Sequence, residues 1–216
     1  MSFKGAIFDL DGVIVDTVPL HFSAWKYLFA EKYGVPFTES IYEEKVDGKP
    51  RLDSVLAILP HLSREKAITA GEIKQARYLE LLEHSGIKVF QSSIVFIEEL
   101  LKHNVLLAAA SSSKNAPYIL KKIGLADKMR VIISGNDFKQ GKPHPEIFLK
   151  AQEALGLNIK ECIVFEDAKA GVLAAKAGGF FCVGIDRSGK PKNYVEADLV
   201  VKDLSEVNYD LLAAVL

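Results

Sequence analysis

The 216-residue sequence has few cysteines and no excess of charge of either sign. Its two cysteines, Cys162 and Cys182, do not form a Cys-x-x-Cys pair, so each is expected to be a buried free thiol. The 27 basic and 28 acidic side chains nearly balance and give a formal net charge of −1. We therefore expect no binding to nucleic acid and no electrostatic attraction to an anionic membrane.

Long apolar runs, internal repeats and low-complexity segments are also missing from the sequence. No run approaches the roughly 18 apolar residues of a membrane helix, and the apolar stretch before Asp9 is too short for a signal peptide. We expect a cytoplasmic protein, and a monomer. The composition, 49% hydrophobic and 25% charged, is typical of a globular protein with a sizeable core. This length predicts one domain with a large insertion, or two domains.

Two carboxylates follow the first apolar run of the chain. Ala6-Ile7-Phe8 predicts a buried strand, and the segment Asp9-Leu10-Asp11-Gly12 begins at its end. Open α/β sheets bind their ligands at the carboxyl ends of strands. Since carboxylate oxygens suit Mg²⁺, a metal and a phosphate are expected nearby. Asp and Gly are also ordinary turn formers, so this pair alone does not decide between a site and a turn.

The pattern of apolar residues divides the chain into a helical block and an alternating part. Helices are predicted at 19–34, 38–45, 51–59 and 63–84, with no strand among them. Further helices are predicted at 94–103, 117–123, 145–155 and 168–177, and strands at 105–110, 130–134, 162–165, 180–185 and 199–201. Strands separated by helices predict a Rossmann-like, doubly wound parallel sheet. The predicted domains are an α/β core, 1–16 with 87–216, and an inserted helical cap, 17–86, joined by two crossings that form a hinge.

Three further polar clusters follow predicted strands. The run 111–115, Ser-Ser-Ser-Lys-Asn, offers hydroxyls and backbone amides to an oxyanion, or is an ordinary turn and helix cap. Lys142 lies between Gly141 and Pro143, which immobilises a lysine that would otherwise be solvated. The pair Glu166-Asp167 precedes a predicted helix, where Asp167 could equally be a helix cap. Acids, hydroxyl donors and one fixed cation are together what phosphoryl transfer needs.

The order of these four clusters resembles the four motifs of the haloacid dehalogenase superfamily, and the helical insertion resembles the C1 cap of its β-phosphoglucomutase-like branch. The resemblance implies Asp9 as a nucleophile that becomes phosphorylated and Asp11 as the general acid and base. It implies that Ser111 holds the transferring phosphoryl group and that Lys142 balances charge. The implied Mg²⁺ ligands are Asp9, the backbone carbonyl of Asp11, Glu166 and Asp167.

The cap carries the residues that the resemblance assigns to the substrate, a small sugar phosphate. Arg51, in the segment 48–54, is similar to the arginine that grips a distal phosphate in the mutases, and a guanidinium binds phosphate bidentately. The further substrate-binding residues implied are His21, Trp25, Gly48, Ser54, Lys74, Ser113, Lys114 and Asn115. By pattern alone Arg51 and Lys74 could be surface charges, and His21 a structural histidine.

One segment departs from the resemblance. Phe90-Gln91-Ser92 stands where these proteins have an aromatic-Pro-Gly sequence on re-entering the core, so a looser hinge is expected. Looser closure would admit water. The phosphorylated aspartate would then be hydrolysed, as in a phosphatase, instead of passing its phosphoryl group to a sugar hydroxyl, as in a mutase. A protein that binds phosphosugars without turnover is the third alternative.

Overall fold

The computed structural model describes residues 3–187, 189 and 194–215. Its core is one six-stranded, all-parallel sheet with the strand order β3-β2-β1-β4-β5-β6. The strands are β1 (Gly5–Phe8), β2 (Leu106–Ala110), β3 (Val131–Ile133), β4 (Cys162–Glu166), β5 (Phe181–Ile185) and β6 (Leu199–Val201). The predicted parallel α/β fold is therefore confirmed, and the strand that opens the chain lies at the centre of the sheet.

Both faces of the sheet are covered by helices, as the buried, apolar strands require. The helices of the α/β part are α5 (Gln91–Lys102), α6 (Ala116–Lys122), α7 (Glu146–Leu155), α8 (Lys169–Ala177) and α9 (Tyr209–Val215). β1 and β4 are buried along their whole length, and their rings Phe8 and Phe165 stack at 4.6 Å. Both predicted free thiols, Cys162 and Cys182, are buried in this sheet.

The segment between β1 and α5 folds into several helices between residues 18 and 85. Its helices are α1 (Val18–Lys26), α2 (Glu39–Lys45), α3 (Arg51–Ile58) and α4 (Arg64–Ser85). This segment, which we call the cap, has its own apolar cluster around Trp25, Phe29 and Val55. The domain boundaries at 17 and 86 remain a prediction. Within the described ranges, no helix is both long enough and apolar enough to cross a membrane.

Four details of the helices differ from the sequence prediction. The helix predicted at 19–34 is α-helical to Lys26 and continues as a π-helix over Tyr27–Lys32. α5 begins at Gln91, three residues before the predicted start, and α9 was not predicted at all. Asp167 does not cap α8, because the residue at the cap position is Ala168.

Candidate active site

The carboxyl ends of β1 and β4 bring the predicted nucleophile beside a buried lysine. The Nζ of Lys142 lies 2.5 Å from Asp9 Oδ1 and 2.6 Å from Glu166 Oε2, and the side chain of Lys142 is fully buried. Burial alone would lower the pKa of Lys142, but the two carboxylates raise it above its usual value. The lysine is therefore a fixed cation between two acids.

Three carboxylates form a compact acidic group at this end of the sheet. Oxygen atoms of Asp9, Glu166 and Asp167 all lie within 4.8 Å of one another. Burial raises the pKa of Asp9 and of Asp167, and repulsion from neighbouring carboxylates raises both further. One ammonium, that of Lys142, cannot neutralise three acids. This donor set fits a hard divalent cation with oxygen ligands, which is what Mg²⁺ requires.

Two glycines make room for these acids. Gly12 has φ +87°, and a Cβ there would overlap the carboxylate of Asp167. A Cβ at Gly171, in the first turn of α8, would overlap the carboxylate of Glu166. The small residues beside the acidic motifs are therefore required by the acids themselves.

Asp11 faces a different set of partners from those of Asp9. Thr17 Oγ1 donates to Asp11 Oδ1 at 2.5 Å, and Ser111 Oγ donates to Oδ2 at 3.2 Å. Burial would raise the pKa of Asp11, but His21, Thr17 and Lys74 oppose this and together lower it to about 2. The side chain of Asp11 is not among the three clustered carboxylates. A metal contact through its backbone carbonyl remains a prediction.

His21 and Lys74 come together beside Asp11, although sequence pattern alone left both ambiguous. Lys74 Nζ lies 2.7 Å from His21 Nδ1 and 4.9 Å from the centre of the Trp25 ring. Because an ammonium only donates, Nδ1 accepts, and the ring proton belongs on Nε2, 3.3 Å from Asp11 Oδ1. Burial, and secondarily Arg51, lowers the pKa of Lys74 to about 7. Lys74 is buried, so its amino group is not a surface charge.

A cavity of about 560 Å³ lies between the cap and the core. Its wall includes most of the predicted catalytic and substrate-binding residues: Asp9, Asp11, His21, Trp25, Gly48, Arg51, Lys74, Ser111, Ser113, Lys114, Glu166 and Asp167. Two predicted substrate-binding residues are not in this wall. Ser54 is buried and its hydroxyl donates to the Pro50 carbonyl at 3.0 Å, so it stabilises the start of α3. The side-chain amide of Asn115 is paired with that of Gln75.

Direct contacts join the cap to the core around this cavity. Ser112 Oγ donates to the Gly48 carbonyl at 2.8 Å, and Gln75 Nε2 donates to Asn115 Oδ1 at 2.8 Å. A Cβ at Gly141 would overlap the ring of Pro50, so the cap loop lies directly against the loop that carries Lys142. The structure is therefore one in which the cap is closed over the strand ends.

Several residues of the site were missed by sequence reasoning. Thr17 is fully buried under Asp11, and Gln75 forms the contact with Asn115. Asp47 lines the cavity, and burial raises its pKa to about 6 although a hydrogen bond with Tyr42 opposes the rise. Only Asp47 had a sequence signal, namely its position directly before Gly48 in the substrate loop.

Comparison with known proteins identifies the family. The family described as haloacid dehalogenase-like hydrolase matches residues 6–185. The chain belongs to this family. Among its relatives, the β-phosphoglucomutase of Bacillus subtilis (strain 168) is 34% identical over 216 residues, which cover 97% of this chain and 93% of that protein. The validoxylamine A 7'-phosphate phosphatase of Streptomyces hygroscopicus subsp. limoneus is 31% identical and covers 96% and 97% of the two chains.

Solved structures agree with this assignment. A crystal structure of β-phosphoglucomutase from Clostridium difficile superimposes with a TM-score of 0.88 at 32% identity, covering 97% of this chain and 95% of that one. The predicted superfamily and its β-phosphoglucomutase-like branch are confirmed. The chain is an enzyme of the isomerase or hydrolase type, and enzymes of this family use a metal ion.

Proposed function

We propose that this enzyme is a Mg²⁺-dependent sugar-phosphate mutase that most resembles β-phosphoglucomutase and interconverts β-glucose 1-phosphate and glucose 6-phosphate. The observation that carries the proposal is the composition of the cavity between cap and core. Its wall holds the paired acids Asp9 and Asp11 together with several basic residues from cap and core, among them Arg51, Lys74 and Lys114. Phosphoryl transfer at Asp9 needs only Lys142 and a metal, so the additional cations fit the second phosphate of a bisphosphate.

The reaction proposed for these residues has two matching transfers. Phosphorylated Asp9 donates its phosphoryl group to a sugar hydroxyl, while Asp11 removes the proton of that hydroxyl. After the bisphosphate turns around, Asp9 attacks the phosphorus of the other phosphate. The bond from that phosphorus to the sugar oxygen breaks, and Asp11 returns the proton to the departing oxygen. Asp11 begins as a base, since its low pKa keeps it ionised.

Neighbouring groups neutralise charge around Asp9 and keep water away from it. Lys142 lessens the repulsion between the carboxylate of Asp9 and an anionic phosphate, and Ser111 is placed to hold a phosphoryl oxygen beside Asp11. Asp9, Glu166 and Asp167 would hold Mg²⁺, which when bound would supply further neutralisation of the phosphoryl oxygens. The closed cap excludes water from the phosphorylated aspartate.

Hydrolysis of a small sugar phosphate is the second candidate. It is favoured by the similarity to a phosphatase at 31% identity over nearly the whole chain. The two functions differ only in whether a sugar hydroxyl or water accepts the phosphoryl group from Asp9. β-Glucose 1-phosphate, with Mg²⁺ and a trace of glucose 1,6-bisphosphate, should yield glucose 6-phosphate with little free phosphate. Stoichiometric release of phosphate would establish the phosphatase instead.

Substitution of Arg51 tests its proposed role in binding the distal phosphate. Replacing it by alanine removes a charge-assisted, bidentate contact worth about 3 kcal/mol, so we expect kcat/KM for β-glucose 1-phosphate to fall about 100-fold. Hydrolysis of p-nitrophenyl phosphate, which has one phosphate, should change little. Arg130→Ala is the matched control, because Arg130 is exposed and precedes β3 at the opposite end of the sheet. Equal losses on both substrates would refute the proposed role.

A further inference from the structure

The turn that carries the two catalytic acids has a contact outside the cavity wall. Arg187, two residues after β5, donates from Nη1 to the backbone carbonyl of Gly12. Gly12 immediately follows Asp11 and adopts φ +87°. The position of this peptide therefore influences where the Asp11 side chain points.

The same guanidinium contacts the return crossing from cap to core. Its Cζ lies 3.6 Å from the centre of the Phe90 ring, a close cation–π stack. Its Nη2 lies 3.2 Å from Asp203 Oδ2, and that oxygen also accepts a hydrogen bond from Ser92 Oγ at 2.8 Å. Arg187 thus joins the catalytic turn, the return crossing and the segment after β6.

The catalytic turn and the return crossing are also paired through their backbones. Phe90 N donates to the Ile14 carbonyl at 3.0 Å, and Asp16 N donates to the Lys88 carbonyl at 2.9 Å. Val15 and Val89 form an antiparallel bridge between these bonds. A shift of the crossing would therefore be transmitted to the turn that holds Asp11.

We propose that Arg187 is a positioning residue for phosphoryl transfer, which holds the catalytic turn and the return crossing in register. Its stack on Phe90 and its ion pair with Asp203, shared with Ser92, supply at this crossing the constraint that the segment 90–92 lacks by itself. Arg187 acts through the Gly12 carbonyl on Asp11 and touches no reacting atom. Only the kinetic part of the test rests on the proposed function.

Amide hydrogen exchange measures the positioning without any substrate. In Arg187→Ala the amides of Gly12, Asp16 and Phe90 should exchange at least tenfold faster, while amides of β4 keep their protection. Phe90→Leu should produce the same pattern more weakly, and in the double variant the two effects should not add. The matched control is Arg77→Ala, because Arg77 is also paired with a carboxylate, Glu80 at 2.7 Å, and stacked on a ring, Tyr27 at 5.4 Å, but on the cap surface.

Kinetics then separate positioning from binding. Arg187→Ala should lower kcat about tenfold and leave KM within about twofold, and Arg187→Lys, which keeps a donor for Gly12, should recover part of kcat. Unchanged exchange at Gly12 and Asp16, faster exchange across the whole sheet, or kinetics equal to those of Arg77→Ala would each overturn the proposal. If Arg187→Ala shows the expected exchange pattern but the wild-type protein converts no sugar phosphate, the proposed function fails while the positioning by Arg187 stands.

Discussion

Lys142 holds a charge that no solvent reaches, enclosed by Asp9 and Glu166. Such a charge is tolerated only with close counter-ions, and the acids in turn depend on the ammonium. The same dependence links Lys74 to His21 and Asp11 in the cap side of the site. At the scale of residues, the site consists of buried charges that stabilise one another.

Replacing Lys142 by methionine should abolish turnover and lower the free energy of unfolding by about 3 kcal/mol at neutral pH, because two buried acids lose their cation. Burial already raises the pKa of Asp9, and removing the ammonium raises it further. A carboxyl whose pKa is raised by folding binds more protons in the folded state, so stability falls as pH rises. Urea unfolding with EDTA should therefore show a larger loss at pH 8 than at pH 5. Lys128→Met, at an exposed pair, is the control.

Deprotonation of Lys74 should lower kcat/KM on the basic side of its pH profile. Its pKa is lowered to about 7, so the substrate-free enzyme loses this cation as pH rises through neutrality. We expect kcat/KM, which reports groups of the free enzyme, to fall above about pH 7 by up to tenfold per pH unit. Lys74→Met should have a lower kcat/KM without this limb. If the limb persists in the variant, Lys74 is not its origin, since ionisation of the substrate is common to both proteins.

Three of the four core motifs were predictable because each lies at the carboxyl end of a strand, and parallel strands bring these ends to one edge. The positions of Asp9, Ser111 and Glu166 at strand ends were enough to predict that they lie together. Gln75 was missed because its partner Asn115 is 40 residues away in sequence. Thr17 was missed, although Asp11 is only six residues away, because no local pattern marks a hydroxyl that will be buried under a carboxylate. The structure also separates neighbours in one motif, since Ser113 lines the cavity and Asn115 does not.

Helix α4 carries Lys74 and Gln75, and its residue Gly71 faces the side chain of Arg51. Gly71 lies in the middle of this helix, where an alanine would ordinarily be favoured by about 1 kcal/mol. A Cβ at Gly71 would lie 2.9 Å from Arg51 Cδ, closer than packing allows. The glycine therefore reserves space for the arginine across the α3–α4 contact.

Gly71→Ala should weaken substrate binding without lowering the stability of the fold. The melting temperature should stay the same or rise, because the flexible arginine can move, while KM for β-glucose 1-phosphate should rise about tenfold as Arg51 is displaced. Thr69→Ala is the control on the same helix, because Thr69 is exposed and its substitution gives a similar gain in helix propensity. A variant with unchanged KM would show that Arg51 does not depend on this space.

Element boundaries were harder to predict than element types. The apolar periodicity of residues 19–34 was interpreted as one α-helix, but the pattern does not distinguish the π-helix that begins at Tyr27. The seven-residue helix α9 was not predicted, and its Leu212 belongs to the apolar cluster that covers one face of the sheet. The sequence 90–92 suggested a loose hinge, yet α5 begins within it and Arg187 packs on its first residue.

At the scale of the whole molecule, polar contacts such as two hydrogen bonds hold the cap closed on the core. The bonds from Ser112 to Gly48 and from Gln75 to Asn115 are each worth about 1 kcal/mol. Removing both with Ser112→Ala and Gln75→Ala should shift the open–closed equilibrium about 30-fold toward the open form. The fraction of turnovers that end in free phosphate should rise accordingly. Ser23→Ala, which loses an exposed hydroxyl that donates to the Pro19 carbonyl within the cap, should leave that fraction unchanged.

The central place of β1 has a consequence for biosynthesis. β1 leaves the ribosome first, but its neighbours β2 and β4 lie about 100 and 160 residues further along the chain. The apolar cluster of the cap is formed by residues close together in sequence, so the cap can fold before the partner strands of β1 have been made. Until β4 has been made, β1 therefore has at least one edge without its partner strand, and that is the interval in which chaperones would be needed most.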